Sequence, residues 1–145
     1  MSEEGFFATM VMSRYWPRTG KVHIARAGQQ HPLGVKNHGF QELTDINGIP
    51  IGIDSEAEYE KVAFDLLPGE SILLVTGGIT EAENEKGELF GNDRLTDYFK
   101  LATGPPWSQG LLEKIDSWRG GAVMNDDLTI LELWRDLPSN VVGPN

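Results

Sequence analysis

The sequence predicts an α+β fold built on an antiparallel sheet. Short segments with strand-like composition, separated by turn residues, fill the chain up to about residue 76. Two segments with helical spacing of apolar residues follow, and a last strand-like segment comes after them. Because strands come first, helices next and a strand last, the last strand is expected to return to the sheet.

Two hairpins are predicted in the first 43 residues. Residues 7–15 are rich in apolar and aromatic side chains, and the turn residues of WPRTG separate them from the alternating segment 21–27. Residues 32–36 and 40–43 flank Asn37-His38-Gly39, where asparagine and glycine favour the positive φ of a tight turn.

A third strand pair is predicted from residues 59–66 and 71–76, joined by the turn Leu67–Glu70. The intervening residues 44–55 contain too many turn residues for a regular element and predict an ordered loop. The run SILLVT at 71–76 is continuously apolar rather than alternating, which indicates a central strand covered on both faces.

Two helices and a final strand complete the prediction. Asn92 and Ser108 are the expected N-caps of the two helices. The apolar stripes are Leu95, Tyr98, Phe99 and Ala102 in the first helix, and Leu111, Leu112, Ile115 and Trp118 in the second. Residues 128–134 predict a strand, and residues 138–145 a loose tail.

Composition narrows the class of protein. A chain of 145 residues and 16.0 kDa predicts one domain over residues 1–145. The net charge of −10 disfavours nucleic acid and membrane surfaces as partners, since both are anionic. The absence of cysteine excludes disulfides and thiolate chemistry. Ser2-Glu3-Glu4 is acidic where a signal peptide is basic, so a cytoplasmic location is expected.

The residues alone indicate one candidate cation-binding edge. Asp126-Asp127 precede the last strand, and since consecutive strand side chains point to opposite faces, at most one carboxylate can be a metal ligand. Gly77-Gly78 end the buried strand, and an acidic loop runs from Glu81 to Asp93. Each feature also has a structural interpretation, as a turn or as a solvated loop. The three histidines lack the spacing of a zinc site.

Six separated blocks, taken together in order, resemble the C-terminal part of SpoIIE/RsbU-type phosphatases, the bacterial branch of the PPM metal-dependent serine/threonine protein phosphatases. The blocks are FATMVMSRYWPRTGKVHIARAG, HPL, GIPIG, LLPGESILLVTGGITEA, GELFGNDRL and NDDLTILEL. The correspondence runs from about Phe7 to Trp134, which leaves residues 135–145 as a tail.

The resemblance implies a fold and a chemistry. The fold would be a β-sandwich of two antiparallel sheets with flanking helices. The family's Mn²⁺ or Mg²⁺ pair activates a water that attacks phosphoserine or phosphothreonine directly, which is chemistry that two cations can supply.

The resemblance also assigns residues. The family's late acidic motif matches Asp126 to Thr129, which makes Asp126 the metal ligand and Asp127 its neighbour. The central motif, Thr-Asp-Gly-hydrophobic-Thr/Ser-Glu-Ala, aligns with residues 76–82, so Gly77 stands where the family has a metal-binding Asp, between Thr76 and Gly78. Glu81 is a further candidate ligand. No residue is assigned as catalytic.

The family's first acidic motif and its Asp-x-x-Gly-His-Gly block precede the matched region and are not found in this sequence, so the expected fold is incomplete.

Two functional hypotheses follow. One is a truncated or divergent phosphatase domain with weak or no autonomous activity, whose partner is a phosphorylated regulatory protein such as an anti-sigma factor antagonist. The other is a non-catalytic signalling interaction module that retains the fold. An incomplete sandwich exposes sheet edges, which predicts a homodimer.

Overall fold

The computed structural model describes residues 5–36, 39–124 and 127–139. It contains seven strands and two α-helices, and a short 3-10 helix (Ile79–Glu81) follows the sixth strand. The elements are β1 (Met10–Trp16), β2 (Lys21–Ala27), β3 (Leu33–Lys36), β4 (Gly39–Glu42), β5 (Val62–Asp65), β6 (Ser71–Val75), α1 (Gly91–Leu101), α2 (Ser108–Arg119) and β7 (Ile130–Trp134).

The strands form two antiparallel sheets. One sheet has the order β1-β2-β5, and the other has the order β4-β3-β6-β7. Both helices pack on the four-stranded sheet, through an apolar cluster that joins α1 and α2 to β3 and β6. The predicted α+β sandwich with flanking helices is therefore confirmed. No helix in the described part of the chain is long and apolar enough to cross a membrane.

Strand β6 contributes to both apolar cores. Ile72 belongs to the cluster between the two sheets, whereas Leu73 and Val75 belong to the cluster under the helices. All three side chains are buried. This arrangement confirms that SILLVT is a central strand covered on both faces, and it explains why the run is continuously apolar.

The predicted pairing of residues 59–66 with 71–76 is wrong. Strand β5 pairs with β2 in the three-stranded sheet, in a register that places Phe64 opposite Val22. The turn at 67–70 carries the chain from β5 in the three-stranded sheet to β6 in the four-stranded sheet. Leu66, just before the turn, is buried in the core between the two sheets. Arg135 reinforces this crossing, since its guanidinium donates to the backbone oxygen of Leu66 at 3.0 Å. The alternation of apolar and polar residues predicts which face of a strand is buried, but it does not predict which strand lies beside it.

The other strand predictions stand with small shifts of boundary. The β1–β2 and β3–β4 hairpins form as expected. The first strand begins three residues later than predicted, and the last strand begins at Ile130 instead of Leu128. Asn37 and His38 of the predicted turn, and residues 140–145 of the predicted tail, lie outside the described residues.

Neither predicted N-cap is correct. Helix α1 begins at Gly91, so Asn92 lies inside its first turn and makes no capping bond. Helix α2 begins at Ser108 itself, after Trp107. The orphan N–H groups of α2 are instead satisfied from another element. The Glu132 carboxylate accepts from the Trp107 N–H and the Ser108 N–H, both at 2.8 Å.

This long-range cap explains how α2 is fixed to the sheet. Glu132 lies on β7, 24 residues after Ser108. A carboxylate at a helix N-terminus accepts hydrogen bonds and also interacts favourably with the helix dipole. The sequence predicted a cap from a residue adjacent to the helix, but no adjacent side chain caps α2.

We expect Glu132→Ala to destabilise the domain by about 1–2 kcal/mol, the usual loss for a helix cap. Glu132→Gln, which keeps one acceptor but loses the charge, should cost less. Glu42→Ala, an exposed glutamate on β4, is the matched control and should be close to neutral. Urea unfolding measures the three free energies, and equal losses for Glu132→Ala and Glu42→Ala would contradict the assignment.

Tyr98 joins the two helices and makes stability depend on alkaline pH. Its hydroxyl donates to the backbone oxygen of Trp107 at 2.6 Å. Burial raises the pKa of Tyr98 above its usual 10, and the charge of Glu132 adds to this effect. Because the neutral phenol is favoured in the folded state, its contribution is complete below pH 10 and is lost as pH rises through the folded-state pKa.

Tyr98→Phe should therefore reduce stability at pH 7 by about 0.5–1.5 kcal/mol, the net value of a hydrogen bond. The variant should also lose less stability than the parent chain between pH 9 and pH 11. Urea unfolding at a series of pH values tests both effects. Parallel pH profiles for the two chains would show that Tyr98 does not titrate as described.

Candidate functional site

The two motifs that carried the metal-site prediction meet at one edge of the four-stranded sheet. Thr76 follows β6 and Thr129 precedes β7. The Thr76 N–H donates to the Thr129 oxygen, and the Thr129 N–H donates to Thr76 Oγ1, both at 3.0 Å. These two bonds extend the β6–β7 ladder by one step. Thr76 thus fixes the position of the loop that it begins.

Gly77 lies directly against Asp127. Its φ is +77°, in the left-handed region that glycine adopts far more readily than other residues. A Cβ atom at this position would lie 2.7 Å from the backbone oxygen of Asp127. The backbone as folded therefore has no room for a side chain at the position where the resemblance predicts a metal-binding Asp.

Glu81 folds back over Gly78. The Glu81 N–H donates to the Gly78 oxygen at 3.1 Å, within the 3-10 turn. A Cβ atom on Gly78, whose φ is +61°, would lie 2.7 Å from Glu81 Oε2. The close approach of this carboxylate thus depends on a glycine at 78.

A cleft of about 660 Å³ opens beside this loop. Gly77, Gly78 and Glu81 line one side of it, and Arg119 and Met124 line another. A second cavity of about 240 Å³, on the other side of Glu81, reaches His31 and Glu42. The carboxylate of Glu81 is thus shared by two adjoining depressions at the end of the sandwich.

Arg119 brings a positive charge to the cleft. Its guanidinium donates to the Ala122 oxygen at 2.7 Å and lies 3.6 Å from an Asp116 carboxylate oxygen. The cleft is also lined by Glu83, so the side chains of Glu81 and Glu83 face the same space as this one cation. The two acids outnumber the cation among the described residues of the cleft.

Arg26, which was not predicted as a site residue, holds the loop at residues 28–31 beside the cleft. Arg26 donates to the backbone oxygens of Ile46 at 2.8 Å and Gln29 at 2.6 Å, and its third contact is with His31 Nε2 at 2.9 Å. These bonds fix residues 28–31, which carry Gln30 to both cavities. The available signal was an arginine at the inward-facing position of an alternating strand.

The predicted metal residues are only partly brought together. Gly77 and Asp127 are in contact, and Glu81 lies on the same loop as Gly77. Asp126, the predicted principal ligand, lies outside the described residues. Over the residues that are described, no group of three or more His, Cys, Asp or Glu side chains could hold a metal ion. Gly77 has no side-chain oxygen, and a side chain there would meet the Asp127 backbone. The described residues therefore do not supply the carboxylates that a binuclear centre needs.

Two stacked antiparallel sheets, flanking helices and an acidic edge between β6 and β7 define the class as the PPM-type protein phosphatase fold. The family model described as "Stage II sporulation protein E (SpoIIE)" matches residues 1–136. The chain belongs to this SpoIIE phosphatase family. The resemblance first indicated by the six sequence blocks is thereby confirmed.

The relatives are distant and longer. Protein IcfG of Synechocystis sp. is 24% identical over 136 residues, which are 90% of this chain and 21% of the relative. Among solved structures, the SiaA-PP2C domain of Pseudomonas aeruginosa has a TM-score of 0.63 and 24% identity, covering 82% of this chain and 48% of that one. The RsbU and RsbW domains of Rv1364c from Mycobacterium tuberculosis give 0.67 and 23%, covering 88% and 36%. This chain thus spans less than half of each.

Replacement of Gly77 tests the close approach to Asp127. Gly77→Ala should cost more stability than Gly87→Ala, although Gly87 has nearly the same φ, +76°, because a Cβ at Gly87 meets nothing within 4 Å. The left-handed conformation alone should cost about 1–2 kcal/mol in both variants. The overlap with Asp127 should add about 1–3 kcal/mol at Gly77 alone.

Gly77→Asp should show the same excess loss as Gly77→Ala, because both introduce the same Cβ atom. Chemical unfolding of the four chains, including the parent, provides the comparison. If Gly77→Asp proved as stable as the parent chain, the loop would accept the family's side chain and the steric argument would be wrong.

Proposed function

We propose that this chain is a divergent SpoIIE-type phosphatase domain of bacterial signalling with weak or no phosphatase activity of its own. Its proposed partner is a phosphorylated regulatory protein in the cytoplasm, of the anti-sigma factor antagonist kind. The observation that carries the proposal is the contact between Gly77 and the Asp127 backbone. Gly77 lacks the carboxylate that the resemblance predicts at this position, and the contact leaves no room to restore it simply.

The loss of one ligand matters because of what a binuclear site requires. Mg²⁺ and Mn²⁺ bind hard oxygen ligands, and several carboxylates are needed to offset the dehydration of two divalent ions. In this chain Gly77 offers none, and Glu81 is packed over Gly78. Even the loss of a group that only orients a ligand costs about 10–100-fold in metal affinity or activity, so the loss of a ligand should cost more.

The electrostatics of the cleft point the same way. A phosphoserine dianion entering beside Gly77 would meet Glu81 and Glu83 as well as Arg119. Without bound cations, the like charges of the carboxylates and the phosphate repel each other. Direct hydrolysis of a phosphoprotein by this chain alone is therefore disfavoured on both counts.

A second candidate is a non-catalytic interaction module, which the Gly77 geometry also favours. The module would keep the sandwich and its end loops as a recognition surface and would bind a signalling protein without hydrolysis. The two candidates share a partner class and differ in whether Mn²⁺-dependent phosphate release can be detected at all.

Thermal unfolding with and without Mn²⁺ tests the proposal, in the parent chain and in Asp126→Ala. We expect no change in Tm at millimolar Mn²⁺ and no measurable phosphate release from a phosphoserine peptide. A site filled at ~100 times its Kd would add about 2.7 kcal/mol and raise Tm by several degrees. Asp45→Ala, an exposed carboxylate in another loop, controls for weak binding to acidic surface.

A rise in Tm that disappears in Asp126→Ala but persists in Asp45→Ala would show that a specific metal site survives. Slow Mn²⁺-dependent phosphate release would favour a weak phosphatase over the interaction module. Release at the rate of an active phosphatase of this family, with or without a Tm rise, would show that the proposal of weak or absent activity is wrong.

A further inference from the structure

A groove of about 680 Å³ lies between the outer faces of α1 and α2. The inner faces of the two helices, with Leu95 and Ile115, are buried in the core against the four-stranded sheet. The described residues that line the groove fall between 90 and 102 and between 114 and 118, and none of them belongs to a sheet. This helix groove is therefore separate from the cleft beside Gly77.

Two apolar residues mark the ends of the helix groove along α1. Phe90 and Leu101 both line it, and they are 11 positions apart, about 16 Å in a helix. Leu101 is 82% exposed. At the other end Phe90 is buried and packs against the Trp118 ring, with the ring centres 6.4 Å apart. An exposed apolar side chain at one end thus has an aromatic wall as its counterpart at the other.

Arg94 is held in a fixed position in the helix groove. Its guanidinium carbon lies 3.6 Å from the centre of the Trp118 ring. Its Nη1 atom donates to the backbone oxygens of Phe90 at 3.1 Å and Leu89 at 3.3 Å. Over the described residues, its Nε and Nη2 atoms make no hydrogen bond. An arginine stacked in this way presents its remaining N–H groups to a carboxylate in a defined orientation.

The charged residues of the helix groove are unpaired within the described part of the chain. They are Arg94 and Lys114, together with Asp97, which lies almost one turn after Arg94 on α1. All three are exposed. The one ion pair that joins described residues, Arg119 with Asp116, lies outside the groove. The groove therefore carries both an acid and bases that can pair across an interface.

The face of α1 that lines the groove is complementary to itself. Residues three and four positions apart share one face of a helix, so Arg94, Asp97 and Leu101 form one stripe. If two copies of α1 pack antiparallel about an axis midway between positions 94 and 97, Arg94 of each copy lies opposite Asp97 of the other. The same register places Leu101 of each copy opposite position 90, beside the aromatic wall of Phe90 and Trp118.

We propose that two copies of this chain associate through their helix grooves, with α1 antiparallel to α1 about a two-fold axis between Arg94 and Asp97. One register forms both ion pairs and covers both Leu101 side chains, and this agreement specifies a second copy as the occupant. The contact is isologous and closed, so it yields a dimer. It does not depend on the proposed function, because the oligomeric state tests the dimer and the Mn²⁺ experiments test the site at Gly77.

Reciprocal charge reversal provides a sharp test. Asp97→Arg places an arginine opposite Arg94 of the other copy, and Arg94→Glu places a glutamate opposite Asp97, so each variant alone opposes like charges. In an equal mixture, the introduced glutamate of one copy faces the introduced arginine of the other. The native Arg94 and Asp97 of the two copies then also face each other, so the mixture should recover the dimer.

Sedimentation equilibrium of the full chain, from about 1 to 100 μM, is the measurement. We expect a dimer for the parent chain, at least a tenfold higher dissociation constant for each charge-reversed variant, and recovery of the dimer in the mixture. Leu101→Ala should also weaken the dimer. Lys100→Glu is the matched control, because Lys100 is exposed on α1 but does not line the groove, and it should leave the dimer intact.

Circular dichroism distinguishes loss of the dimer from loss of the fold. Asp97 and Leu101 are exposed, so the fold should tolerate their replacement. Arg94→Glu removes the contact with Trp118 and could unfold the chain. In that case Asp97→Arg and Leu101→Ala, each compared with Lys100→Glu, decide the question by themselves.

Three results would overturn the proposal. The first is a parent chain that remains a monomer at 100 μM. The second is a dimer that Asp97→Arg retains, or that Lys100→Glu weakens as much as Asp97→Arg does. The third is failure of the mixture to recover the dimer when both charge-reversed variants are folded.

Discussion

Strand β6 is the element on which the rest of the structure depends. Its alternate side chains enter two different cores, with Ile72 between the sheets and Leu73 and Val75 under the helices. Full burial of each such side chain is worth about 1.5–3 kcal/mol. A polar residue at position 72 would weaken the core between the sheets, and one at 73 or 75 would weaken the core under the helices. The two cores therefore share this strand as their common wall.

The candidate site is a direct continuation of this strand. Thr76 extends the β6–β7 ladder, and Gly77 then turns sharply against the backbone of Asp127. The turn is possible because glycine lacks a Cβ atom. The glycine thus sets the shape of this loop at the position where the resemblance predicts an Asp. The site thus keeps the family's scaffold, and Gly77 contributes no carboxylate to it.

The end loops of the sandwich and the altered site lie on the same surface of the molecule. The fold keeps the layers that position a recognition surface, namely the end loops and the cleft beside Arg119. This surface is where the phosphorylated partner proposed above would bind.

The sequence by itself determined which segments are strands and helices, which faces are buried, and the family. These properties depend on local periodicity and on ordered motifs, as the burial of SILLVT and the six matched blocks show. It also predicted that Gly77 departs from the family pattern. Only the tertiary structure decided that β5 pairs with β2, that Glu132 caps α2, and that Gly77 has no room for a side chain. The physical reason is the same in each case: these contacts join residues distant in sequence, and neither periodicity nor propensity specifies which distant residues meet.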